Sequence, residues 1–92
     1  MVEPTSEAAR VVGERIRMRR QALAINQEHL ALLASIHTTN LGKIERGRAN
    51  PSLHTMLRIA GALQMEPAEL LAGLTVAELP EGLVSPVGRC AG

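Results

Sequence analysis

The 92-residue sequence predicts an all-α fold: a compact domain of five short helices followed by a short irregular tail. Three observations predict it. Residues 26–47, NQEHLALLASIHTTNLGKIERG, read as two short amphipathic helices joined by a tight turn and closed by a glycine. Ser, Thr or Asn stands ahead of several further apolar-periodic segments, where side-chain oxygens can accept from the free N–H groups of a first turn. The chain also has no Phe, Tyr or Trp although 46% of it is apolar, so its core must be aliphatic.

Residues 1–6 are expected as a disordered lead-in, with Thr5 or Ser6 available as a cap. The first helix is expected at about 7–23, with Val12, Ile16 and Leu23 inward and Arg15, Arg17 and Arg19 largely outside. Asn26 caps the second helix, in which Leu30, Ala31 and Ala34 share one face. Ser35-Ile36-His37 breaks the periodicity, His37 takes the cap position of the third helix, and Leu41 and Ile44 resume the apolar spacing. Gly47 ends that helix where a left-handed residue is wanted. A loop over 48–51 leads to Ser52, the cap of a fourth helix bearing Leu53, Met56, Leu57, Ala60 and Leu63. Pro67 stands near the first position of a fifth helix, with Leu70 and Leu71 inward. From Gly73 the pattern fails. Residues 74–79 suit one helical turn or a short extended piece, and Pro80, Gly82, Pro86 and Gly88 rule out a long element. The expected organisation is a domain over 7–72 and a tail over 73–92.

Ninety-two residues suit one domain with a small core. Proteins that bind single-stranded nucleic acid stack bases on aromatic rings, which this chain lacks; duplex DNA makes no such demand. The net charge is only +1, but it is unevenly distributed. Residues 10–58 hold nine basic side chains against three acidic ones, and the remainder holds one against six. The basic segment is the one with the two-helix motif, as a phosphate-facing surface requires. Cys90 is the sole cysteine, so no intramolecular disulfide forms and a reducing compartment is expected. His29, His37 and His54 lack ligand-like spacing, so neither metal nor cofactor is expected. With no signal-peptide run and no apolar stretch near ~20 residues, the expectation is a soluble cytoplasmic protein.

Thr38, Thr39, Gly42, Lys43 and Arg46 form the stripe of the third helix opposite its apolar face. The stripe is small, polar and basic with no carboxylate, which suits a helix entering a major groove. A single hairpin of this kind is equally a solvated surface, and the segments around it decide. IRMRR precedes it, NQEHLA opens it, IHTTNLGKIERG completes it, NPSLHTMLRIAGAL follows, and MEPAELL closes the domain. In this order and spacing, from about Val11 to Leu71, the chain resembles the lambda-repressor-like, Cro-type (XRE-type) helix-turn-helix family.

The resemblance implies roles residue by residue. Thr38, Thr39 and Lys43 stand where the family reads bases, and Gln27 where it anchors the DNA backbone and buttresses the recognition helix. Arg46, Arg48 and Asn50 match its phosphate-contacting loop, with His37 within reach of the backbone, Asn40 within reach of a phosphate or an adenine edge, and Arg17 and Arg19 as further contributors. Arg20 and Glu45 look like the family's structural ion pair; the other reading of Arg20 is one more phosphate-seeking arginine. Gly42 on the stripe lets the helix backbone approach DNA closely. Ala24 and Ser35 depart from the pattern, standing where glycine is common at a helix end.

The implied function is a sequence-specific double-stranded DNA-binding regulator of transcription, acting as a homodimer on a (pseudo)palindromic operator. ERG-x-x-NPSL also resembles the controller proteins of restriction–modification systems, which makes autoregulation a sub-hypothesis. The alternative is an antitoxin or controller-type protein whose main role is to bind a protein partner, such as a toxin or RNA polymerase. No nucleophile and base are paired, so an enzyme is not expected. The dimer contact is expected from the fifth helix and the tail, where Leu71, Leu74, Val76 and Leu79 are surplus apolar residues.

Overall fold

The side chain of Ser6 accepts a hydrogen bond from the Ala9 amide at 3.0 Å and so opens the first helix, α1, Glu7–Ala22. In the computed structural model, which describes residues 4–80, four more helices follow: α2 Gln27–Ala34, α3 Thr38–Glu45, α4 Leu53–Ala62 and α5 Pro67–Leu71. The described residues contain no strand. Asn26 accepts from the His29 amide at 2.7 Å and Ser52 from the Thr55 amide at 3.1 Å, so both polar caps lie where the sequence put them. Beyond α5, Val76–Glu78 make a single 3-10 turn, and Thr75 and Glu78 form a reciprocal cap at its start.

The core is wholly aliphatic: Val12 and Ile16 from α1, Leu30, Ala31 and Ala34 from α2, Leu41 and Ile44 from α3, Ile59, Ala60 and Leu63 at α4, and Leu70 from α5. α2 and α4 pack closely, α1 lies across α3 and α5, and α2 meets α3 at the turn. Several residues expected inside are not. Leu71 is 51% exposed, and on α4 the buried side is centred on Ile59 and Ala60 while Leu53 and Leu57 face solvent. α4 needs only a narrow stripe, because one face alone meets α2 and α5.

Four of the helix ends share one backbone solution. Ala24, Ser35, Gly47 and Gln64 have φ of 60, 58, 75 and 56°, and the next residue's N–H reaches back five residues, as Ile25 to Arg20, Ile36 to Ala31, Arg48 to Lys43 and Met65 to Ala60. The half-buried Ile25, Ile36 and Met65 then turn onto the core. A left-handed conformation in a non-glycine residue costs on the order of 1 kcal/mol, which inserting these side chains offsets. Glycine appears at Gly47, where a Cβ would lie 2.9 Å from the Arg10 Cα.

The arginines of α1 are not an open basic face. Arg15 donates to the carbonyls of Glu69 and Leu70 (3.3 and 3.1 Å), and Arg19 to those of Leu63 and Gln64 (3.0 and 3.3 Å). These carbonyls end α5 and α4, have no helical partner and carry the negative end of the helix dipole. Arg10 pairs with Glu7 and Arg17 with Glu14 one turn away. None of the helices among the described residues is long and apolar enough to cross a membrane. The tail beyond Pro80, with Cys90, lies outside the described residues.

Candidate nucleic-acid interface

The turn between α2 and α3 is set by Ser35 in the left-handed region (φ 58°, ψ 45°), followed by half-buried Ile36 and the extended His37. His37 occupies the cap position of α3, but its side chain makes no capping bond and is exposed. Successive residues of a helix turn by about 100°, so buried Leu41, Ile44 and Glu45 fix which side of α3 faces inward. Thr38, Thr39, Asn40, Lys43 and Arg46 are all exposed. Of the five, Thr39, Lys43 and Arg46 lie most directly opposite the buried side, and Asn40 lies on its flank.

Beneath that face is a polar joint between three helices. The Arg20 guanidinium donates to both carboxylate oxygens of Glu45, Nε to Oε2 at 2.7 Å and Nη2 to Oε1 at 3.1 Å, and Nη1 donates to the Ile25 carbonyl at 3.0 Å. The Gln27 amide Nε2 donates to Glu45 Oε1 at 2.9 Å. The Glu45 side chain is 2% exposed and that of Arg20 13%, so Arg20 is committed to this pair rather than open to a phosphate. No buried side-chain nitrogen or oxygen among the described residues lacks a partner, so the joint is fully satisfied. The one acid of α3 is thus neutralised inside the fold, and the exposed side of the helix carries no carboxylate.

Gly42 does not lie open on the stripe. It is buried, and a Cβ there would meet the Arg46 guanidinium at 3.2 Å and Gln27 Oε1 at 3.7 Å. The missing side chain makes room for these two to fold over α3. Gln27, Arg46 and Arg48 also line one open cleft of about 700 Å³ with Arg17, Arg20, Glu45 and Pro4. The structure therefore brings Gln27, Arg46 and Arg48 together beside the C-terminal end of α3, with Thr38 and Thr39 at its other end. Asn50 is exposed but faces a different, smaller space of about 210 Å³, shared with Thr5, Ser6, Pro51, Leu79 and Pro80. Lys43, Arg46 and Arg48 make no ion pair among the described residues, and Arg17, although paired with Glu14, borders the same cleft.

Gly13 was missed by sequence reasoning. It is buried in α1, where a Cβ would stand 2.3 Å from the Ile44 carbonyl oxygen and 2.7 Å from that of Glu45. The available signal was a glycine inside an otherwise helix-forming segment, which costs roughly 1 kcal/mol relative to alanine without a compensating contact.

Residues 16–70 match the helix-turn-helix family, which takes in α2, the turn, α3 and the helices that brace them. The chain belongs to the XRE-type helix-turn-helix family. The controller protein C.AhdI of a restriction–modification system from Aeromonas hydrophila superposes with a TM-score of 0.66 at 40% identity, over 67% of this chain and 94% of that one. The c2 repressor of phage P22, solved in complex with a synthetic operator, superposes with a TM-score of 0.65 at 34% identity, over 70% and 97%. The transcriptional regulator DdrOP3 of Deinococcus deserti is 36% identical over 76 residues, which are 76% of this chain. The chain spans 59% of the length of DdrOP3 and 45% of that of the immunity repressor of Bacillus phage phi105.

Proposed function

We propose that the chain binds specific duplex DNA by placing α3 in the major groove and regulates transcription as a homodimer in the cytoplasm, by binding rather than catalysis. The observation that carries this reading is the charge asymmetry of α3. Its exposed side offers Thr38, Thr39, Asn40, Lys43 and Arg46, while Glu45 is buried between Arg20 and Gln27. A helix face that must meet phosphates and base edges at once needs that asymmetry, because an exposed carboxylate there would repel the DNA.

In this reading Lys43 and Thr39 read base edges with Thr38, and Asn40 and His37 reach the flanking backbone. Arg46 and Arg48 hold phosphates at the C-terminal end of α3, with Gln27 bracing the helix through Glu45. Asn50 meets a phosphate from the loop side. Two copies are expected because one short recognition helix reads few base pairs, and a two-fold dimer sets two helices about 34 Å apart in successive grooves. The exposed Leu71, Val76 and Leu79 supply an apolar contact surface for the second copy. Autoregulation of the controller kind is supported by the ERG-x-x-NPSL segment and the 40% identity to C.AhdI. The repressors and controllers among the relatives do not favour a chain whose main role is to bind another protein.

Selection of bound duplexes from a random pool, followed by sequencing, tests the reading. The expected result is one enriched motif with two related half-sites about 10 base pairs apart centre to centre. Recovery of unenriched sequence would remove specific DNA binding from the function.

A further inference from the structure

We infer that Gly13 is a positioning residue for α3: with Gly47 it forms a backbone seat that sets the height and tilt of that helix above α1. The inference rests on the reading of α3 as the DNA-reading helix. Two glycines, one on each side of the contact, let α1 and the C-terminal end of α3 meet backbone to backbone. At Gly13 an added Cβ would stand 2.3 Å from the Ile44 carbonyl oxygen and 2.7 Å from that of Glu45. At Gly47 it would stand 2.9 Å from the Arg10 Cα and 3.1 Å from the Arg10 nitrogen. Every one of these neighbours is main chain, so no side-chain rotation can relieve the overlap. The Thr5 amide donates to the Gly47 carbonyl at 2.7 Å, and the Arg20–Glu45 pair fixes the same end of α3 farther along α1.

The seat thus fixes one end of the helix, and buried Leu41 and Ile44 hold its middle on the core. Its other end, Thr38 to Asn40, projects exposed from the turn. A methyl group at position 13 must move the seated end by about 1 Å to reach an ordinary carbon–oxygen contact. α3 is about 12 Å long, so a shift of that size at its base re-aims Thr38, Thr39 and Lys43. Base-edge hydrogen bonds depend on that aim, because each pairs a fixed donor and acceptor. Phosphate contacts from Arg46 and Arg48 tolerate it, because long flexible side chains follow the backbone of the DNA. Gly13 therefore bears on discrimination between sequences more than on affinity for duplex as such.

The test compares Gly13→Ala with Gly61→Ala in the full chain. Gly61 is an exposed glycine of α4 with nothing within 4 Å of an added Cβ, so it is the matched substitution without a neighbour. Because Gly13→Ala can lower stability, both are also made with Gln64→Gly, which relieves left-handed strain at the end of α4. Binding to the duplex selected by the parent chain is compared with binding to a scrambled duplex of equal length. Amide nitrogen–proton spectra without DNA report where α3 sits. Gly13→Ala is expected to lose roughly tenfold or more in discrimination with scrambled-duplex affinity within about twofold, and to shift α3 amides while those of α4 and α5 stay in place. Gly61→Ala is expected to change neither. Equal loss on both duplexes, retained discrimination, or a stabilised Gly13→Ala chain that still fails to fold would each overturn the inference. If the parent chain selects no duplex, the functional reading fails, and the spectra alone decide the seat.

Discussion

α1 carries five arginines, and the stretch from α3 into the following loop carries Lys43, Arg46 and Arg48. In α1, Arg15 and Arg19 close the carbonyl ends of α5 and α4, Arg20 holds Glu45, and Arg10 and Arg17 sit on glutamates one turn away. The three cations of the second group are exposed and make no ion pair among the described residues. Two basic segments of one small protein therefore do different work. One fastens helices to each other, and the other is open to an anion. Basic charge marks a phosphate-facing surface only after its internal partners have been subtracted.

The largest effect expected from disturbing this division is at its boundary. Glu45→Gln strands the Arg20 guanidinium in a joint where the partner carboxylate is 2% exposed. Breaking such a buried pair costs about 3–5 kcal/mol, so thermal unfolding should show the melting temperature falling by well over 10 °C. An unchanged melting temperature with tighter DNA binding would make Glu45 a mere surface acid. Lys43→Ala should come next. It is expected to reduce discrimination against altered operators by roughly 1–3 kcal/mol with little change in the melting temperature, read by competition binding.

Smaller effects sharpen the picture. Ser35→Gly and Ala24→Gly should each stabilise the fold by roughly 0.5–1 kcal/mol in denaturant titrations, because both residues hold left-handed conformations that glycine adopts freely. The smallest concerns the glutamate–arginine pairs along α1. Hydrogen bonds from Arg10 and Arg17 hold the Glu7 and Glu14 carboxyls below the usual carboxylate range. A depressed folded-state pKa gives stability that is present above the ordinary glutamate value and lost as pH falls through the folded one. Glu14→Gln should accordingly flatten a shallow acid-side decline in stability and leave neutral-pH behaviour nearly unchanged.

Much of this was legible from local chemistry. The caps at Ser6, Asn26 and Ser52 and the proline opening α5 depend on residues a few positions apart, and periodicity carries that information; Ala24 and Ser35, which prove left-handed, stood out only against the family pattern. The Arg20–Glu45 pair was legible through the resemblance, not through spacing. What stayed hidden depends on which elements meet. Gly13 has meaning only once the carbonyls of α3 lie on α1, and Arg15 and Arg19 become caps only when the ends of α5 and α4 arrive beside them. Gly42 read as an open groove-facing glycine because nothing local shows Arg46 and Gln27 folding over it. Leu53, Leu57 and Leu71 have the spacing of core residues but no helix opposite them among the described residues.

The central claim, that the cations of α3 and its loop face DNA while those of α1 hold the fold together, is tested most directly by salt dependence. The slope of log K against log salt for one duplex is measured for the parent chain, Arg48→Ala and Arg19→Ala. Each neutralised phosphate contributes about −0.9 to the slope. Arg48→Ala should therefore give a slope shallower by about one unit at an unchanged melting temperature. Arg19→Ala should keep the parent slope and melt lower, having lost its bonds to Leu63 and Gln64. The reverse pattern, a shallower slope for Arg19→Ala and none for Arg48→Ala, would contradict the claim.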